Sequence, residues 1–274
     1  MSAQNSGPRR DTRGIVDAAD LFAHVRFRRH APAPDLRPYL EHYWLIDWDL
    51  PQPYASHVVP HPSVNLVFQR YDDGRPDFLE LSGVGLALDT RKLAGRGRVC
   101  GVQFRPGGFR PFAPGFAVSE WTDRVVPAEP VFPSVDPTAV LSPDRDEGRV
   151  SALDAFLLGL DPRPDPQVEL AMELVDRIRH DRTVRRVDAL AREAGLSPRS
   201  LQRLFAAHVG VGPKWVVLRY RIHEALEHAE STDAVDWARL AAELGYADQA
   251  HLVRDFTATL GAPPSTLRPG ASHA

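Results

Sequence analysis

The chain has 274 residues, of which 43% are apolar and 25% are charged, and its formal net charge is −3. This length is sufficient for two domains with separate cores, and no apolar run approaches the roughly 18 residues of a membrane-spanning helix. The single cysteine, Cys100, excludes an internal disulfide framework and a metal site built from cysteine alone. The net charge gives no support for a nucleic-acid partner. The C-terminal residues 167–274 taken alone are neutral too, with 14 basic and 14 acidic residues.

The N-terminal end is polar and carries no targeting signal. Its first residues, MSAQNSGPRRDTRG, lack the apolar core of a signal peptide. We therefore expect residues 1–20 to form a flexible tail and the protein to be cytoplasmic, without a membrane partner.

Short segments rich in β-branched and aromatic residues follow, separated by Gly, Pro and Asp. The candidate strands are HYWLIDW (42–48), VNLVF (64–68), FLELSG (78–83) and RVCGVQF (98–104). Their number and closeness predict a small antiparallel barrel or sandwich. Eight prolines between Pro106 and Pro143 break any long helix there, so we expect loops that cover the sheet.

The β-rich part is predicted to end with a helix and a stiff linker. PDRDEGR (143–149) is typical of a surface turn, and SALDAFLLGL (151–160) has apolar residues at helical spacing. DPRPDP (161–166) is typical of an interdomain linker. We therefore expect an α+β protein, with a β-rich domain over 21–160 and an all-α domain over 167–270.

The all-α domain contains an internal repeat. Helices are predicted over 168–178, 187–195, 197–209, 213–229, 235–245 and 248–260. LAREAGLSPRSLQRLFAAHVGVGP (190–213) is repeated as LAAELGYADQAHLVRDFTATLGAPP (240–264), with one extra residue in the second turn. A helix, a glycine-containing turn and a second capped helix make a helix-turn-helix, whose second helix can lie in the major groove of DNA. The chain therefore has two candidate DNA-reading helices.

The first candidate reading helix starts after Ser197, which is placed to cap it. Its predicted back is apolar (Leu201, Leu204, Phe205 and His208), and its front carries arginine and glutamine, which can pair with guanine and adenine. The alternative is a solvated polar face on an ordinary helix. The candidate DNA contacts are Pro198, Arg199, Ser200, Gln202, Arg203 and Ala206.

The second candidate reading helix starts after Asp248, with Leu252 and Phe256 on its back. Its front is less polar, so we expect the first copy to carry more sequence information. The candidate DNA contacts are Gln249, Ala250, His251, Val253, Arg254 and Thr257. Between the copies, PKWVVLRYRIHEALEHA spans about 25 Å if helical, which suits two helices about one turn of B-DNA apart, roughly 34 Å.

These residues resemble the DNA-binding domain of the AraC/XylS family of bacterial transcription regulators. The matching stretches are LAREAGLSPRSLQRLF, RYRIHEAL and AAELGYADQAHLVRDFTATLGAPPSTLR. In the closing signature of the family, Leu267 stands where an aromatic residue is usual; the matching residues are Ala241, Gly245, Tyr246, Phe256, Gly261, Pro264 and Arg268.

The N-terminal half resembles a cupin-like domain of unknown function found in some members of this family, through HYWLIDWDLP, VVPHPSVNLVF and RVCGVQFRPGGFRPF. The resemblance implies a domain that senses a small-molecule effector or forms homodimers, and it favours activation through contact with RNA polymerase. Sequence alone does not separate effector sensing from dimerisation.

Six N-terminal residues are candidates for a ligand pocket: Trp44, His57, His61, Phe68, Phe104 and Arg105. The aromatic residues are equally suited to an ordinary core, the histidines to a loop or to hydrogen bonds, and Arg105 to a salt bridge. The paired histidines and glutamate of a metal-binding cupin are absent, so we expect no metal and no cofactor.

Two enzymatic alternatives remain open: a cupin enzyme, and an alkyl-repair protein of the Ada type with Cys100 as methyl acceptor. Cys100 lies in an apolar strand, where a buried inert thiol is expected. No catalytic arrangement of serine, histidine and aspartate or of paired carboxylates stands out, so we expect a protein that is not an enzyme.

Overall fold

The computed structural model describes residues 14–264, apart from residues 182, 185 and 232–234. Most of the tail, together with Leu267 and Arg268 of the closing signature, therefore lies outside the described residues. The strands are β1 (Ile15–Val16), β2 (Arg26–His30), β3 (Leu40–Val58), β4 (Asn65–Tyr71), β5 (Phe78–Ser82), β6 (Asp89–Phe104) and β7 (Val125–Pro127). The helices are α1 (Ala18–His24), α2 (Pro137–Leu141), α3 (Asp146–Gly159), α4 (Pro166–His180), α5 (Val187–Glu193), α6 (Pro198–His208), α7 (Pro213–Ser231), α8 (Trp237–Glu243) and α9 (Gln249–Leu260).

The strands form one antiparallel sheet in the order β1-β3-β6-β4-β5-β7, with β2 also paired to β3. The long strands β3 and β6 make its centre and pair from Leu40–Phe104 to Val58–Asp89, with two irregularities, one between Leu40 and His42 and one between Leu50 and Tyr54. The sequence predicted these strands shorter, because each continues past its apolar centre into polar residues. The α+β class is confirmed, with a sheet-based N-terminal half and a helical C-terminal half.

Both faces of this sheet are covered. Alternate residues of β3 point to opposite sides, so that Tyr43 and Leu45 join the main core under α2 and α3, while Trp44 and Ile46 join a smaller core beside α1. The Tyr43 hydroxyl donates to Asp154 Oδ1 of α3 at 2.7 Å, which fixes that helix on the sheet. The sheet is therefore filled on both sides by its own chain.

Two expectations for the N-terminal half were wrong. Residues 143–149 are not only a surface turn: α3 begins at Asp146, and Arg149 is 2% exposed, with its guanidinium donating to Asp47 and to Pro143 O. The tail does not extend to residue 20, because Ile15 is buried, β1 pairs with β3 and α1 begins at Ala18. The start of α3 was missed because the segment is rich in proline. The order of residues 15–20 was missed because it depends on pairing with the distant strand β3.

The C-terminal helices form two small cores on one shared helix. Leu190, Ala191, Leu201 and Phe205 pack with α4 and with Val216 and Val217 of α7. Leu240, Ala241, Leu252 and Phe256 occupy the equivalent positions of the second core, with Ile222, Ala225 and Leu226 from further along α7. The repeat seen in the sequence is thus a repeat of packing.

Candidate nucleic-acid interface

The two turns of the repeat have the same backbone geometry. Gly195 and Gly245 both lie in the left-handed region, with φ of 67° and 76°, where a side chain would be strained. Behind them, Leu196 N donates to Ala191 O and Tyr246 N donates to Ala241 O, both at 2.8 Å. Each first helix therefore ends in a Schellman motif, which turns the chain toward the second helix.

Both second helices begin with a side-chain cap. Ser197 Oγ accepts from Ser200 N at 3.1 Å at the start of α6, and Asp248 Oδ1 accepts from His251 N at 2.7 Å at the start of α9. Both helices end at a glycine with positive φ, Gly210 and Gly261. Helix length and direction are thus set by local hydrogen bonds in each copy.

The front of α6 is basic and exposed. Arg199, Gln202 and Arg203 are exposed, and within the described residues neither arginine has an acidic partner. Pro198 is also exposed, whereas Ser200 and Ala206 are half-buried. Lys214, in the first turn of α7, is a further exposed cation without an ion pair among the described residues. Most arginines elsewhere in the described chain are already paired, so these side chains keep their donors for an external anion or base.

The front of α9 is only partly open. Gln249, Ala250 and Arg254 are exposed, and Val253 is half-buried. The half-buried His251 lies 3.7 Å from Asp255 (Nε2 to Oδ2), and Thr257 Oγ1 donates to Val253 O at 2.7 Å, so these polar groups are used within the helix. The front of α9 therefore has one exposed cation, Arg254, whereas the front of α6 has two, Arg199 and Arg203.

The N-terminal domain contacts the C-terminal end of α6, a feature that the sequence reasoning missed. Arg110 donates to His208 Nε2 at 3.1 Å, and Thr122 Oγ1 donates to Gly210 O at 2.5 Å. Burial, followed by the charge of Arg110, lowers the pKa of His208. The first reading helix is thus held from behind by the β-rich half, while its front stays exposed.

Further contacts join the two halves along α4 and α7. Arg105 Nη2 lies 2.5 Å from Asp176 Oδ2, and Arg219 Nη2 donates to Leu86 O at 2.7 Å. Apolar side chains cross as well: Val84 lies in the first helical core and Val59 in the second. Each helix-turn-helix therefore packs against the N-terminal half.

The six candidate pocket residues do not come together. Phe68 and Phe104 are fully buried in the main core, whereas Trp44 packs on the opposite face of the sheet. His57 is exposed and lies 3.0 Å from Thr90 Oγ1, and Arg105 is paired with Asp176. These six residues therefore do not line one common pocket.

Two remaining candidates from the first half can be placed. The His61 ring stacks on His223 of α7, with ring centroids 4.2 Å apart, so it belongs to the junction between the halves. Cys100 is fully buried, and burial raises the pKa of its thiol to about 11, which does not suit a methyl acceptor. In the part of the chain that the structure describes, no three metal-ligating side chains cluster.

Comparison with known families fits this geometry. A helix-turn-helix family model matches residues 190–269, which cover both copies and α7. The C-terminal domain is an AraC-type helix-turn-helix domain. A second model, a domain of unknown function (DUF6597), matches residues 28–127 of the sheet. With an AraC-type domain at its C-terminus, the chain is a DNA-binding transcription regulator.

Solved structures give a weaker likeness, and no curated protein matches the chain. ToxT from Vibrio cholerae O395 aligns at 10% identity over 84% of this chain and 98% of its own, with a TM-score of 0.42. Unsaturated fatty acid bound ToxT from strain SCE256 of the same species aligns at 11% identity over 92% and 94%, with a TM-score of 0.40. A likeness this low carries no inference about what this chain binds. No helix in the described ranges is long and apolar enough to cross a membrane.

Proposed function

We propose that the regulator binds promoter DNA through α6 and α9, which enter successive major grooves on one side of the duplex. The observation that carries this proposal is the matched pair of capped helices. Each has an exposed arginine on its front that forms no ion pair with another described residue. Arg199 and Arg203 can each pair with a guanine, and Gln202 with an adenine. On α9, Arg254 contacts a base or a phosphate, while Ala250 and Val253 meet thymine methyl groups.

The connecting helix, α7, sets the distance between the two reading helices. The 19 residues of α7 span about 28 Å at 1.5 Å per residue. With the turns at either end, this suits half-sites about one helical turn, roughly 34 Å, apart. Lys214 at the start of α7 contacts the intervening phosphate backbone.

We further propose that residues 161–166 separate the DNA-binding domain from a regulatory domain that contains the sheet. The contacts of Arg110 and Thr122 with the end of α6 support a domain that controls how the first reading helix is oriented toward DNA. In this proposal the regulatory domain binds an effector or a second copy of the chain, and the regulator activates transcription by contacting RNA polymerase.

Selection of genomic DNA fragments at fixed salt concentration tests whether both reading helices bind DNA. The wild-type protein is expected to enrich one motif with two half-sites about one helical turn, roughly 34 Å, apart. Arg203→Ala should degrade one half-site and Arg254→Ala the other, while Arg75→Ala, an exposed arginine in the β4–β5 turn, leaves both intact. Loss of the same half-site in both variants, or enrichment of no motif, would overturn the proposal that α6 and α9 each read one half-site.

A further inference from the structure

His251 lies at the edge of the second reading helix, α9, beside a carboxylate of the same helix. Its side chain is 44% exposed, and its Nε2 lies 3.7 Å from Oδ2 of Asp255, which follows one helical turn later. The exposed Arg254 belongs to the same turn of α9. The imidazole therefore stands between Asp255 and the surface that α9 would turn toward DNA.

Asp255 offers this imidazole an acceptor oxygen that lacks a donor. Its Oδ2 is buried and has no hydrogen-bond partner among the described residues. Tyr246 also interacts with Asp255, but burial, followed by the charge of Asp255, raises the pKa of Tyr246, so the phenol stays neutral. Since a buried carboxylate oxygen without a donor is costly, a small rotation that brings Nε2–H of His251 within hydrogen-bond distance is favoured.

The charged and titratable side chains around His251 belong to α7, α8, the turn before α9 and α9 itself. They are Arg221, Arg239, Glu243, Tyr246, Asp248, Arg254 and Asp255. Asp248 caps the helix by accepting from the backbone N–H of His251 at 2.7 Å, and Arg239 pairs with Glu243. The Tyr246 ring meets the His251 ring edge to face at 5.2 Å, with Arg221 over that tyrosine. Among the described residues, Asp255 alone forms an ion pair with His251.

The second ring nitrogen decides what His251 can bind. Nδ1 makes no hydrogen bond to a described residue and is not a buried atom, so it is open to solvent. When Nε2–H is held by Asp255, a neutral imidazole presents Nδ1 as an acceptor, whereas the charged imidazolium presents Nδ1–H as a donor. A DNA phosphate oxygen only accepts, so it can bind the charged form alone.

We propose that His251 is a proton-dependent phosphate contact of α9 and that Asp255 is its positioning residue. The imidazolium donates through Nε2–H to Asp255 and through Nδ1–H to a phosphate oxygen of the half-site that α9 reads. The front of α9 then presents two cations to DNA, as the front of α6 does. This inference rests on the proposed function, because it assigns a further contact within the same DNA interface.

The proton makes the two half-sites respond differently to pH. Arg199 and Arg203 of α6 stay charged throughout the range in which proteins are folded, whereas a histidine ordinarily titrates near pH 6.5. Because the phosphate contact needs the charged form, DNA affinity is highest at acidic pH and falls as the pH rises through the titration of His251. DNA binding and proton uptake at this residue are therefore linked.

Fluorescence anisotropy on the full-length protein, with the selected DNA at pH 6, 7 and 8, tests this assignment. The wild-type protein is expected to bind about fivefold more weakly at pH 8 than at pH 6, the change that follows when a contact favours a charged histidine about tenfold. The salt dependence of binding should also be steeper at pH 6, by about one counterion, because one more phosphate is neutralised. A histidine with a merely structural role would not change that salt dependence.

Variants assign the effect to this histidine. His251→Gln takes up no proton, so it should lose both the pH dependence and the additional counterion. Asp255→Asn keeps an acceptor oxygen without the charge and should move the fall in affinity to lower pH. His57→Gln, at an exposed position of β3, is the matched control and should keep the wild-type profile. The Tm of each variant checks its folding. Full pH dependence in His251→Gln, or equal salt dependence of the wild-type protein at pH 6 and pH 8, would overturn the assignment.

The half-site measurements keep this proposal distinguishable from the DNA-binding mode that it extends. If Arg203→Ala and Arg254→Ala each degrade one half-site while the wild-type affinity does not change with pH, both reading helices bind DNA and His251 is not a contact. If no motif is bound at pH 6 or at pH 8, the DNA-binding mode itself fails, and the assignment of His251 fails with it.

Discussion

Arg203 lies exposed in the middle of α6, and no acidic side chain among the described residues pairs with it. A guanidinium there can make a bidentate contact with guanine O6 and N7. We expect Arg203→Ala to cost about 1–3 kcal/mol on the selected site and little on random DNA. Fluorescence anisotropy with both DNAs at one salt concentration measures the difference.

Lys214→Ala is the matched control for a contact that carries no base information. It should weaken specific and random DNA alike and reduce the salt dependence by about one counterion. If Arg203→Ala behaves in the same way as Lys214→Ala, Arg203 touches only phosphate.

At this scale, helical periodicity is sufficient to predict which side chains of α6 are exposed. It predicted Arg199, Gln202 and Arg203 on the open face, and the structure places all three there. It does not predict that Thr257 bonds its own helix or that His251 pairs with Asp255, because those bonds depend on rotamers. Local pattern therefore indicates the face but not the donors still available on it.

At the scale of elements, the glycines that end the two reading helices form a matched pair. Both Gly210 and Gly261 have positive φ, so alanine at either position costs about 1–2 kcal/mol of backbone strain. At Gly210 an added Cβ would also lie 2.9 Å from Val118 Cγ1 of the N-terminal half, whereas Gly261 has nothing within 4 Å. We expect Gly210→Ala to lose more free energy of unfolding than Gly261→Ala in urea titrations. Equal losses would mean that α6 does not rest on Val118.

The two helical cores allow a second comparison between elements. Phe205 and Phe256 are both fully buried at equivalent positions of the repeat. Truncation of either to alanine should cost about 3–5 kcal/mol of unfolding free energy, because each leaves a cavity in a small core. Calorimetric melting of Phe205→Ala, Phe256→Ala and the exposed control Ala250→Gly measures these losses. An unchanged Tm in Phe256→Ala would mean that the second copy is not packed as described.

Elements were predictable where their signal is local. The helices α4 to α9 follow from apolar spacing, capping residues and glycine, and their predicted ends lie within a few residues of the observed ones. The strands β1 and β2 and the helix α1 were missed, because they are short and are held by pairing or packing with β3. Non-local pairing of this kind leaves no periodicity in the segment itself.

At the scale of the whole molecule, the contact between the two halves was not predictable from the sequence. Val59 and Val84 are ordinary apolar residues near strand ends, yet each completes the core of a different helix-turn-helix unit. The linker over 161–166 suggested separate domains, but the structure joins them through α4, α6 and α7. The proposed control of the two reading helices by the N-terminal half depends on these contacts.

The pH dependence of stability reports on one of these contacts. His208 joins α6 to Arg110, and its pKa in the folded protein is lowered from the ordinary 6.5 by burial and then by the charge of Arg110. As the pH falls below about 6.5, the unfolded chain therefore binds more protons at His208 than the folded protein does. The stability contributed by neutral His208 is present above about pH 6.5 and is lost as the pH falls toward the folded-state pKa.

We expect the unfolding free energy to decline from pH 7.5 to pH 5 more steeply in the wild-type protein than in His208→Gln, in which no proton is taken up at this position. Urea titrations at four pH values measure both curves, and His57→Gln on β3, an exposed histidine, controls for the loss of an imidazole as such. Parallel curves for wild type and His208→Gln would mean that His208 takes up its proton equally in the folded and unfolded states. A steeper wild-type curve, in contrast, would show that His208 takes up its proton more readily in the unfolded chain than at its contact with Arg110.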